Sequence, residues 1–126
     1  MTEYRTKPLE NALLRAELQI ACDAFREADL KEVQVSFGWD SKLPIEEMWQ
    51  EQSVPIDNVV AVIDESERLG ISQVGKSDIF VEAPDFRFTL CHEGDVHVKG
   101  SSGLVEQFVR RWEALGYAPY QVRQRA

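Results

Sequence analysis

Residues 79–99, IFVEAPDFRFTLCHEGDVHVK, decide the fold. Ile79, Val81 and Ala83 stand at every second position, and Pro84-Asp85 breaks the run. Phe86, Phe88 and Leu90 then alternate with Arg87, Thr89 and Cys91, Glu93-Gly94-Asp95 turns the chain, and Val96 to Lys99 returns. A period of two marks strands with one buried face, and short polar breaks between them mark an antiparallel meander. Pairing Cys91 with His97 sets Leu90 opposite Val98 and gathers Phe86, Phe88, Leu90, Val96 and Val98 on one apolar face. Pairing His92 with His97 would throw the two apolar sets onto opposite faces, a costly slip. The first register is expected, with His92 toward the apolar side and Cys91 and His97 on the polar side.

Downstream, Gly100-Ser101-Ser102 opens a helix whose face is Leu104, Val105, Phe108, Trp112 and Leu115, with a serine as N-cap and Gly116 closing it. A short strand over Pro119 to Arg123 follows. Upstream, Leu14, Leu18, Ala21, Phe25 and Ala28 recur at three- and four-residue steps and predict a helix from about Pro8 to Asp29. Lys31 to Trp39 alternates and reads as a strand, which would place Trp39 in the core, as the helix face does Trp112. A helical turn is expected around Pro44 to Gln50. A second full helix is expected from about Pro55 to Leu69, although Val59 to Ile63 is β-prone and leaves residues 54 to 63 open between helix and strand. The expected architecture is α+β in one domain over residues 1–126: an antiparallel sheet of four to five strands with two or three helices packed on one face.

The 126 residues are 44% hydrophobic and 29% charged, the composition of a globular chain with its own core. Their formal charge is −8 and the pI about 4.7, which disfavours nucleic acid and anionic membrane surfaces as ligands. No apolar run approaches the roughly 20 residues of a membrane span. Met1 to Leu9 has no apolar signal core, and Cys22 and Cys91 are isolated, so the expected setting is cytoplasmic with both thiols reduced.

The charge is concentrated. Residues 40–67 hold Asp40, Glu46, Glu47, Glu51, Asp57, Asp64, Glu65 and Glu67 against Lys42 alone, a net −7 of the chain's −8. Such a field steers a cationic partner, and aromatic residues beside charge are typical of interface anchors. Trp49, among Glu46, Glu47 and Glu51, is expected to be partly exposed. The leading expectation is a non-enzymatic binding module that docks a basic protein through Glu46, Glu47, Trp49, Glu51, Asp57 and Asp64. Inhibitors of basic nucleases and toxins, such as immunity proteins, and chaperones of secreted effectors share this size and composition, with no family motif to go with it. Homo-oligomerisation stays open as a further role.

Two segments carry the chemical alternatives. Residues 70–77, GISQVGKS, match the phosphate-loop pattern letter for letter. The pattern works only between a strand and a helix, and here the order is reversed, so a plain connecting loop is expected. Cys91, His92, Glu93, Asp95 and His97 offer metal-ligand types, but the expected register brings at most Cys91 and His97 together. The alternative function is thus a small metal- or ligand-binding enzyme at the Cys91–His97 hairpin end; no cofactor, no metal and no catalytic residue are assigned.

Overall fold

A computed structural model of the chain describes residues 2–101 and 103–123. In chain order the elements are β1 (Thr2–Arg5), α1 (Asn11–Glu27), β2 (Glu32–Phe37), β3 (Gln52–Pro55), α2 (Val59–Arg68), β4 (Ile79–Ala83), β5 (Phe86–Leu90), β6 (Val96–Gly100), α3 (Gly103–Leu115) and β7 (Tyr120–Val122). Two short 3₁₀ turns, Ile45–Glu47 and Ile56–Asn58, flank β3. All strand pairs are antiparallel, in the order β3-β2-β4-β5-β6-β1-β7.

The class is the expected α+β, with seven strands in place of four to five. The two additional strands have little apolar alternation to announce them. β1 reads TEYR and offers only Tyr4, yet it lies between β6 and β7 and pairs with both. β3 reads QSVP and offers only Val54, which sits opposite Val33. Its Pro55 is tolerated because β3 is an edge strand. Residues 54–63 combine both expectations: strand to Pro55, then a 3₁₀ turn, then α2, whose Val59 and Ile63 are fully buried.

The central register places Leu90 opposite Val96 and Thr89 opposite His97, two residues tighter than Cys91 with His97. The turn causes the shift. The Cys91 amide donates to the Asp95 carbonyl at 2.9 Å, and Gly94 takes a φ of +86°, open to glycine at no steric cost. A slip of two preserves the facing, so Phe86, Phe88, Leu90, Val96 and Val98 all enter the core as expected.

All three helices contribute to that one core: Leu14, Leu18 and Phe25 from α1, Val59 and Ile63 from α2, Val105, Phe108 and Trp112 from α3. They therefore share one face of the sheet. Phe86 packs edge-on against Phe25 at 5.7 Å and stacks on Phe108 at 5.8 Å. A buried charge locks α1 to α3. Glu17 accepts from both Arg111 Nη atoms at 2.6 Å and from Trp112 Nε1 at 2.5 Å. Ser102, one of the two serines read as a cap for α3, lies outside the described residues. Among those residues no helix is long and apolar enough to cross a membrane.

Candidate functional site

The acidic block divides in two. Asp57 pairs with Arg26 at 2.8 Å, Asp64 and Glu67 with Arg15 at 3.3 and 2.5 Å, and Glu65 with Arg68. Asp57 also stands beyond the far end of β3 from Trp49, and Asp64 is on α2. Glu46, Glu47 and Glu51 form no ion pair among the described residues and lie in the loop joining β2 to β3. Of the candidate partner-binding residues, the structure thus groups Glu46, Glu47, Trp49 and Glu51, and sets Asp57 and Asp64 apart with arginine partners.

The same loop carries exposed aromatic surface. Trp39 is 56% exposed, a correction to its expected place in the core, because β2 stops at Phe37 and Asp40 turns away with a φ of +60°. Trp49 is 43% exposed and meets Trp39 edge-on at 5.2 Å between ring centroids. Ile45, on the adjoining 3₁₀ turn, is 72% exposed. Trp49 has a φ of +63°, a left-handed conformation that a bulky side chain adopts only under constraint. Its amide donates to the Phe37 carbonyl at 2.7 Å, and its ring lies over Gly38, where a Cβ would come within 2.6 Å of Trp49 Nε1. Glycine at 38 is what lets the indole lie on the strand. Strain of this kind costs on the order of 1–3 kcal/mol and clusters at functional sites.

The phosphate-loop match sits between α2 and β4, as its sequence context implied. Most of its amides are already used. Ile71 and Ser72 donate to the Ser66 carbonyl, Gln73 to Ser77 Oγ, Lys76 and Ser77 to the Gln73 carbonyl, and Val74 to the Glu67 carboxylate. An acid occupies the place a phosphate would need. The neighbouring cleft of about 710 Å³ mixes Lys42, Lys76 and His92 with Asp40 and Glu67, so it offers no clear anion preference.

At the β5–β6 turn the structure brings together more than the expected pair. The ligand atoms of Cys91, Asp95 and His97 all lie within 4.8 Å of one another, and so do those of Asp78, Cys91 and His92. Asp95 and His97 are two residues apart and share a strand face, while the turn sets Cys91 across from Asp95. His97 Nε2 and Asp95 Oδ2 are 2.9 Å apart. His92 is not on the apolar side; both its backbone amide and its ring Nδ1 bind Asp78 Oδ1 at 2.7 Å. That hydrogen bond holds the His92 pKa above its ordinary value. Burial, with the Asp95 and Asp78 carboxylates behind it, pushes the Cys91 thiol up to about 12. Burial acts to raise Asp95, yet the His97 hydrogen bond and charge hold it below the usual carboxylate value.

Two members of these groups went unnoticed in the sequence. Ile45 carries no signal, because the β2–β3 loop that holds it, with Leu43 and Met48 among its polar residues, shows no period to say which apolar side chain is exposed. Asp78 had one: extending the β4–β5 register by one residue beyond Ile79 and Leu90 sets Asp78 opposite Cys91.

The fold and site thus define an acidic α+β domain with helices on one face of its sheet and an exposed tryptophan pair beyond one strand end. Comparison with known proteins gives no significant match to a family model, a curated protein or a solved structure.

Proposed function

We propose that this chain is a small acidic binding module that docks a basic partner protein through the β2–β3 loop. The anchor is the Trp39–Trp49 pair with Ile45, and the surrounding charge is Glu46, Glu47 and Glu51. The observation that carries this reading is Trp49 itself: an indole 43% exposed and held in a left-handed backbone conformation. Hydrophobic burial alone would not maintain a strained, half-exposed tryptophan, whereas a preorganised anchor lowers the cost of ordering a side chain on binding. Large aromatic residues with a charged rim are the usual composition of binding hot spots. Among the described residues the rim charges have no cation to satisfy them, which selects lysine or arginine on the partner. Asp57 and Asp64 are left outside this surface because Arg26 and Arg15 hold them.

The test compares two immobilised proteins, wild type and the Glu46→Ala/Glu47→Ala/Glu51→Ala variant, in native extract at low salt. A basic protein retained by the first, released by salt and lost from the second is expected. Its association with wild type should be about tenfold faster than with the variant at low salt, the gap closing as salt rises. Equal retention by both, or equal rates at every salt concentration, would sink the reading.

A further inference from the structure

The β5–β6 turn has a feature that partner docking leaves unexplained. Asp95 is 7% exposed; its Oδ2 is committed to His97, while its buried Oδ1 has no well-formed hydrogen bond, although the Cys91 thiol approaches the carboxylate. A buried carboxylate oxygen without a partner is costly, of order 1–3 kcal/mol or more, and native structures hold few of them. Cys91 and His97 face this carboxylate across a rigid frame. The Cys91 amide binds the Asp95 carbonyl at 2.9 Å, and on the far side of β6 the Val96 amide binds Thr6 Oγ1 at 3.1 Å.

We propose that Cys91 Sγ, Asp95 and His97 Nε2 form a binding site for a zinc-class divalent transition metal ion, with a fourth position open to water. Donor types decide the metal class. One thiolate, one imidazole and one carboxylate suit Zn²⁺ or Co²⁺, and a hard ion such as Mg²⁺ or Ca²⁺ would want oxygen ligands throughout. The geometry is close to what is needed. Tetrahedral zinc with ordinary bond lengths separates its ligand atoms by about 3.4–3.7 Å, and here all three lie within 4.8 Å of one another. Small side-chain rotations close that gap.

The charges balance. Binding releases the Cys91 thiol proton and the Nε2 proton that now faces Asp95 to solvent, the ion taking the place of the latter. One thiolate and the Asp95 carboxylate then neutralise the dication, and the imidazole binds in its neutral form with a proton on Nδ1. The adjoining Asp78–His92 pair is a poorer choice of ligands, since Asp78 Oδ1 already accepts from the His92 amide and ring. His92 Nδ1 lies 3.8 Å from Cys91 Sγ and serves as an outer neighbour. Arg5, opposite His97 in the register, is compensated by its ion pair with Glu3 at 2.7 Å.

Co²⁺ alone is the probe, titrated into the full chain. The expected result is saturation at one equivalent, with a thiolate-to-cobalt charge-transfer band in the near ultraviolet, intense visible bands of four-coordinate cobalt, and bleaching by Zn²⁺. Cys91→Ser and His97→Gln should each lose the charge-transfer band or weaken binding beyond the ~100-fold that loss of an outer partner costs. Cys22→Ser and His92→Gln should keep it. Asp95→Asn, which preserves shape and so guards against a folding failure in Cys91→Ser, should weaken binding about tenfold or more. Circular dichroism checks each fold. No charge-transfer band in wild type, a band that survives Cys91→Ser, or one that vanishes with Cys22→Ser would each overturn the site.

Discussion

The two halves of the acidic block have the same sign and opposite treatment. Asp57, Asp64, Glu65 and Glu67 each meet an arginine: Arg26, Arg15 and Arg68. Glu46, Glu47 and Glu51 meet none among the described residues and share the β2–β3 loop with the exposed Trp39–Trp49 pair. A run of acids along a sequence is therefore two things in space, a set of internal crosslinks and an open electrostatic surface. On the proposed reading, the second is the one offered to a partner.

Taking the paired treatment to its limit gives the largest expected effect. Glu17 is buried to 1% exposure and held by Arg111 and Trp112. Arg111→Ala strands that charge in the core and should cost about 3 kcal/mol in urea unfolding, since removing one partner of a buried pair leaves the other uncompensated. A loss below about 1 kcal/mol would show that Glu17 takes up a proton or reaches water when freed.

The unpaired half is tested next through its scaffold. Gly38→Ala places a methyl within 2.6 Å of Trp49 Nε1 and 2.9 Å of Phe80, so the indole must leave the strand. The expected outcome is partner affinity lower by roughly thirtyfold, the loss of about 2 kcal/mol that removing an aromatic anchor brings, with a shift in tryptophan fluorescence. Unchanged affinity would separate Trp49 from recognition.

The smallest effect sharpens the division itself. Arg15→Ala frees Asp64 and Glu67, whose pairing is largely exposed and worth well under about 1 kcal/mol. Stability should barely change in thermal melts, and association with a basic partner should not accelerate. Faster association would widen the docking surface to α2.

How much of this was readable in the chain follows from the range of the forces involved. Local period reveals which side chains share a face, so the β4–β6 meander, α1, α3 and the burial of Trp112 were all legible. Strands that are stabilised chiefly by pairing with neighbours were not: β1 and β3 each contribute one apolar side chain, Tyr4 and Val54, and depend on partners far along the chain. The same applies to charge. Arg15 lies 49 residues from Asp64 and Arg26 lies 31 from Asp57, separations at which no sequence pattern links cation to anion. Trp39 misled because the alternation of β2 continues through it on paper, while the chain leaves the sheet after Phe37. At the hairpin, the Cys91–His97 pair was legible from the expected facing, whereas Asp95 joins it through the tighter turn at Gly94, which sets Asp95 across from Cys91.

The margins of the sheet have a consequence of their own. A long flat border of unpaired amides invites another chain to add a strand and seeds aggregation. Here one border is β3, four residues ending in Pro55, and the other is β7, three residues. Each offers an incoming strand only a few hydrogen bonds, so a seven-stranded sheet with one wet face is shielded from growing sideways into fibres.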